Sequence, residues 1–173
     1  MTASDVLDFY QAMEEIGVKI WIDGGWGVDA LLETETRPHC DLDIAIQQKD
    51  VAKFRQFLEA RGYKEIKLEI AKPHNFVMGN DKGHEIDAHM IVLDEKGNGI
   101  YGPRENGEMY PADSLTGKGS IHKYPVMCIS PEWMVKFHTG YKLRESDFKD
   151  VFALCRKFGL DLPKEHQPAT DVG

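Results

Sequence analysis

Hydrophobic and polar positions along this 173-residue chain follow two periods. Val6, Phe9 or Tyr10, Met13 and Ile16 recur at helical spacing over residues 5–16, with Ser4 as a cap and Gly17 as a stop. "VKIWI" (18–22) is a short apolar β-run closed by Asp23. After Gly24 and Gly25, "WGVDALLE" returns to helical spacing and offers Trp26, Ala30 and Leu31 to a core. "LDIAI" (42–46) predicts a second strand. Residues 49–62 predict an amphipathic helix with Val51, Phe54, Phe57 and Leu58 inward and Gly62 as its stop. From residue 63 the period falls to two: "YKEIKLEI", "NFVMG" and, after an "NDKG" turn, residues 84–93 predict antiparallel strands.

Residues 94–119 carry many glycines and predict turns and loop, with a short strand near Ile100. "IHKYPVMCI" predicts one last strand, and Ser130, Pro131 and Glu132 open a helix over 131–140, followed by another over 146–158. The order predicts an α/β (α+β) fold with a mixed twisted sheet, flanking helices and a C-terminal helical pair. One domain is expected over 1–162, with its core in 1–129 and the C-terminal helices in 130–160. The polar segment 163–173 is expected to be a flexible tail.

Apolar residues make up 42% and charged residues 29%, the balance of an ordinary globular domain. The net charge of −8 weighs against a nucleic-acid polymer as partner, yet leaves room for one nucleotide held by a local cation. Three widely spaced cysteines without a CxxC pair suggest neither a zinc site nor a disulfide framework, and are expected to stay thiols. The first residues lack the basic and apolar regions of a signal peptide, and no run is long enough to span a bilayer. A cytoplasmic location with no membrane partner is the expectation.

Two aspartates, Asp41 and Asp43, interrupt an otherwise buried-looking strand. Residues i and i+2 of a strand share a face, so the two carboxylates point together, and burying them unpaired would cost several kcal/mol each, on the order of 2–7. A hard divalent cation resolves the conflict, because Mg²⁺ takes oxygen ligands and keeps room for water and phosphate. Asp87 lies inside a second apolar β-run with His89 on its own face, and completes a three-carboxylate cluster if the two strands are neighbours. Gly24 and Gly25 stand between a strand and a helix, where bare backbone N–H groups can approach a phosphate. A branched side chain at Gly25 is expected to obstruct that approach. The run is neither GxGxxG nor a P-loop, since no GK[ST] follows. Lys136, Lys142, Arg144 and Lys149 predict a solvated basic face from which one or two side chains reach phosphate.

"DGGWGVDALL", "TRPHCDLDIAI" and the strand aspartate Asp87 together resemble the polymerase-β-type nucleotidyltransferase superfamily, and more closely its small lincosamide and aminoglycoside nucleotidyltransferases. The likeness continues into "GYKLRESDFKDVFAL" near the end of the chain. It implies Mg²⁺-dependent transfer of a nucleoside monophosphate, expected to be AMP from ATP, to a hydroxyl of a small antibiotic, with release of pyrophosphate. It also implies a metal set of Asp41, Asp43 and Asp87 holding two Mg²⁺ ions. Gly24, Gly25, Trp26, Arg37 and His39 fall on the nucleotide side, although Trp26 could equally pack the helix. Asp87 is expected to act as the base, with His89 as its rival. An acidic loop bearing Glu95, Glu105, Glu108 and Asp113 would suit an amine-bearing acceptor. A protein hydroxyl as acceptor, a non-catalytic nucleotide-binding module and a homodimer stay open.

Overall fold

Thr2 starts the chain's first helix. Its hydroxyl accepts a bond from the Asp5 N–H while the Asp5 carboxylate accepts from the Thr2 N–H, so α1 (Ala3–Glu15) begins ahead of the expected Ser4 cap. The computed structural model describes residues 1–67, 74–102 and 108–167. The strand β1 (Ile20–Ile22) leads into α2 (Gly24–Leu32), then β2 (Asp41–Gln47) and α3 (Val51–Glu59). Both glycines lie inside the first turn of α2, which Asp23 caps through the Gly24 N–H at 2.8 Å.

Next come β3 (Lys64–Ile66), β4 (Asn75–Gly79) and β5 (Glu85–Leu93). Leu68 and Ile70, expected to continue the alternating strand, lie outside the described residues. A small arm of β6 (Gly99–Tyr101) and β7 (Glu108–Tyr110) folds back on the end of β5, where the sequence suggested only one short strand. The expected last strand is two, β8 (Gly117–Ile121) and β9 (Tyr124–Cys128). His122 and Lys123 turn between them with φ of 49° and 65°, a left-handed pair that sequence rules assign to Asn and Gly. α4 (Pro131–Phe137) and α5 (Glu145–Phe158) close the fold.

The sheet runs β3-β4-β5-β2-β1-β9-β8, mixed as expected. β2 and β5 are parallel neighbours with Asp43 opposite Asp87 and Asp41 opposite Glu85, so the register delivers the carboxylates of two strands to one place. Leu42, Ile44 and Ile46 on β2 and Ile86, Ala88 and Ile91 on β5 are fully buried. Gly119 lets β8 lie against the backbone of α2 at Ala30, where a Cβ would overlap. Phe54 of α3 stands edge-on between Phe9 of α1 and Phe76 of β4. The first residues of the expected tail are described. Lys164–His166 forms a short 3₁₀ turn, His166 is buried, and Glu165 accepts from the Gly140 N–H. Residues 168–173 lie outside the described residues. No helix among the described residues is long and apolar enough to cross a membrane.

Candidate active site

Asp43 and Asp87 face one another across the β2–β5 pair, with His89 one step further along β5. One ligand atom from each of Asp43, Asp87 and His89 falls within 4.8 Å of the others. Asp87 Oδ1 is buried without a hydrogen-bond partner, 3.5 Å from His89 Nε2. Burial, then repulsion from Asp23, Asp41 and Asp87, pushes the Asp43 carboxyl up to about 8, with Arg144 pulling the other way. Burial also raises Asp87, against the pull of His89 and of a hydrogen bond from Asn75. Carboxylates held so unfavourably, with an oxygen left unpartnered, suit a divalent cation. Asp41 sits apart: it is exposed at the start of β2 and does not enter the close group.

The turn before this cluster is built from behind. Gly24 has φ of 54°, and a Cβ there would overlap the Asp43 carboxylate. A Cβ on Gly25 would instead overlap the His39 ring and approach Arg37. Gly25 is therefore needed for internal packing, and the positive φ belongs to Gly24, not to Gly25. His39 is buried, with Nε2 2.6 Å from Asp29 Oδ2 and its ring 4.7 Å from that of Trp26. Asp29 Oδ1 accepts from the Thr36 backbone N–H and hydroxyl. Arg37 donates to Asp150 of α5 at 2.8 Å and lies 3.0 Å from His39 Nδ1. Trp26, at 2% exposure, is core. Trp26 and His39, expected on the nucleotide side, both support the turn from its buried side.

Beside the carboxylates opens a cavity of about 370 Å³. Asp23, Asp43, Asn75 and His89 line its charged end, and Tyr101, Tyr110, Phe137 and Tyr141 give it aromatic walls. Arg144, from the stretch between α4 and α5, also reaches it, whereas Lys136, Lys142 and Lys149 do not line it. Two of the four acidic residues expected to rim the acceptor pocket stand away from this cavity. Glu95 and Asp113 are exposed and do not line the cavity, whereas Glu105 and the side chain of Glu108 lie outside what is described. Sequence reasoning missed Tyr110. Its hydroxyl donates to Asp23 Oδ2 at 3.1 Å and stands 2.8 Å from His89 Nδ1, and its own ionisation is pushed well above the ordinary range by burial and then by Asp23.

Residues 5–154 match the family model described as aminoglycoside-2''-adenylyltransferase. The chain belongs to that family. The lincosamide resistance protein of Staphylococcus haemolyticus is 31% identical over 147 residues, covering 84% of this chain and 88% of the relative. Among solved structures, the lincosamide antibiotic adenylyltransferase LnuA with lincomycin bound is similar at a TM-score of 0.78 and 29% identity, covering 89% of this chain and 96% of that one. ANT(2'')-Ia in complex with adenylyl-2''-tobramycin gives 0.72 at 19% identity, covering 91% and 89%, a likeness of fold alone. As a member of the family the chain is a nucleotidyltransferase, with a nucleoside triphosphate donor and a divalent ion. Its mixed sheet and helices are the polymerase-β-like nucleotidyltransferase fold.

Proposed function

We propose that this enzyme transfers AMP from ATP to a hydroxyl of a lincosamide-type antibiotic and releases pyrophosphate, with Mg²⁺ as the divalent ion. The observation that carries the reading is Asp43, which lines the aromatic cavity and faces Asp87 across the β2–β5 pair. Asp43 and Asp87 hold the ion, with Asp41 as a further carboxylate at the mouth of the same strand. Bound there, the ion neutralises the triphosphate and the charge that develops at phosphorus. The first turn of α2 offers the Gly25 N–H to phosphate oxygens, the Gly24 N–H being held by Asp23. Arg144 supplies a cation at the other side of the cavity. Arg37 braces this turn against α5 through Asp150.

Asp87 is the proposed base. It stands in the ion's seat beside Asp43 and His89, which line the cavity that receives the acceptor, and from there its carboxylate is proposed to orient the hydroxyl and take its proton. Tyr101, Phe137 and Tyr141 favour an acceptor with substantial apolar surface and few charges. A lincosamide fits that description better than a polycationic aminoglycoside, for which the described walls offer no carboxylate beyond Asp23 and Asp43 at the charged end. The 31% identity to a lincosamide resistance protein supports the same choice. Neither a protein acceptor nor an idle nucleotide-binding module is favoured by these relatives.

Pyrophosphate release, measured for each nucleoside triphosphate against panels of lincosamides and aminoglycosides, tests the proposal. The expected result is ATP-dependent release with a lincosamide and a product heavier by one AMP. Release only with an aminoglycoside would overturn the acceptor assignment, and release with neither class would overturn the reading itself.

A further inference from the structure

Tyr110 links two groups that the transfer reaction does not itself bring together. It stands on β7, yet its hydroxyl meets Asp23 at the end of β1 and His89 in the middle of β5. A phenol has one proton to give, and here it goes to Asp23 Oδ2. The Tyr110 oxygen can therefore meet His89 Nδ1 only as an acceptor, so Nδ1 carries hydrogen and donates at 2.8 Å. Asp23 is fixed in turn, because its other oxygen accepts from the Gly24 N–H at 2.8 Å.

The consequence falls on the opposite nitrogen. With hydrogen on Nδ1, the neutral ring presents a bare lone pair at Nε2. That lone pair lies 3.5 Å from Asp87 Oδ1, a buried oxygen with no hydrogen-bond partner. A hydrogen on Nε2 would be expected to close this gap into a bond; the gap stays open. Two lone pairs facing one another repel, unless a cation lies between them. Adjacent ligands on one ion, with bonds of about 2.1 Å at right angles, stand roughly 3 Å apart, near the observed separation. Asp43 contributes a third ligand atom within 4.8 Å of the other two.

We propose that His89 is a direct ligand of the divalent ion through Nε2, and that Tyr110 and Asp23 are positioning residues that aim it. The inference rests on the metal seat of the proposed function and adds a nitrogen to an otherwise all-oxygen set. His89 is then not the base, which leaves that role to Asp87. An imidazole ligand also changes which ion is preferred. Mg²⁺ gains little from nitrogen, whereas first-row transition ions bind imidazole well. An orienting partner on the far ring nitrogen is the usual companion of a ligating histidine, and losing it weakens metal binding about 10- to 100-fold.

The test uses Mn²⁺ as the probe on the whole chain, alone and with a non-hydrolysable ATP analogue. Pulsed electron paramagnetic resonance reads whether a histidine nitrogen touches the ion, and ¹⁵N-histidine labelling identifies it. Wild type is expected to show the nitrogen coupling, and His89→Gln to lose it. Mn²⁺ affinity should fall about tenfold or more in His89→Gln, while Mg²⁺ affinity changes far less. Tyr110→Phe keeps the ring and removes the hydroxyl, and should weaken Mn²⁺ binding about tenfold. Mn²⁺ bound to wild type without nitrogen coupling overturns the inference and leaves the proposed function standing. No Mn²⁺ binding at all, even with nucleotide, overturns both. The wild-type spectrum decides the question even if a variant fails to fold, and unchanged coupling and affinity in Tyr110→Phe would remove the positioning role.

Discussion

Asp43 shows how much one side chain's setting decides. It meets Asp87 across the sheet, Gly24 above it and Arg144 across the cavity, and its carboxyl is raised to about 8 by burial and by its acidic neighbours. Asp43→Asn keeps the shape and removes the charge, so turnover should drop by about 10²–10⁴ while the thermal melt stays intact or rises, the cation-free strain having been relieved. Single-turnover pyrophosphate release and a melting curve together check this, and near-normal turnover would dismiss the assignment. The neighbouring glycines separate two kinds of damage. Gly24→Ala forces a side chain into the Asp43 carboxylate at a positive φ and should cut metal and nucleotide affinity together. Gly25→Ala pushes on His39 and Arg37, so its first effect should be lost stability, measured by urea titration. The i, i+2 spacing of Asp41 and Asp43 made the site visible in sequence, because a strand's geometry is local. Tyr110 was not visible: its bond to Asp23 spans 87 residues, and no local pattern announces it.

Elements carried most of what sequence could foretell. Helical and alternating periods marked α1 to α3, β1, β2, β4 and β5 to within a few residues, since each buries one apolar face. The β8–β9 hairpin escaped because "IHKYPVMCI" has no glycine or asparagine to mark its turn, and the fold forces His122 and Lys123 into left-handed backbone instead. That cost can be recovered. His122→Asn combined with Lys123→Gly should stabilise the protein by about 0.5–1 kcal/mol, read from urea melts, with turnover unchanged because the turn lies away from the carboxylates. Lower stability in the double variant would show that the two side chains give more than their backbone costs. The tie between α5 and the metal turn is the opposite case. Arg37 is about one-third exposed and Asp150 buried, so Arg37→Ala leaves a buried carboxylate unpaired and should cost about 1–3 kcal/mol. A fall in stability without a matching loss of nucleotide affinity would separate bracing from phosphate contact.

At the scale of the whole molecule, the sheet's job is to gather like charges, and the cation-free protein must bear their repulsion. Unfolded, Asp43 ionises near 3.8; folded without a cation, near 8. Between those values the folded state keeps a proton that the unfolded state has lost, so stability falls as pH rises from about 4 to about 8. Asp87, also raised, acts in the same direction. His166 acts against them, because burial lowers its affinity for a proton and favours the fold as pH rises through the histidine range. The lowered carboxyls Asp5 and Glu65 act below about pH 5, outside the window that matters. A divalent ion on Asp43 and Asp87 cancels their contribution alone and leaves that of His166 in place. Melting temperatures taken from pH 5 to 8.5 in a chelator should therefore decline relative to those in Mg²⁺, with the gap widening toward high pH. Asp43→Asn should shrink the gap by removing its largest source. Equal pH profiles with and without the ion would mean that the carboxylates are relieved by some other charge, and that the ion's seat lies elsewhere.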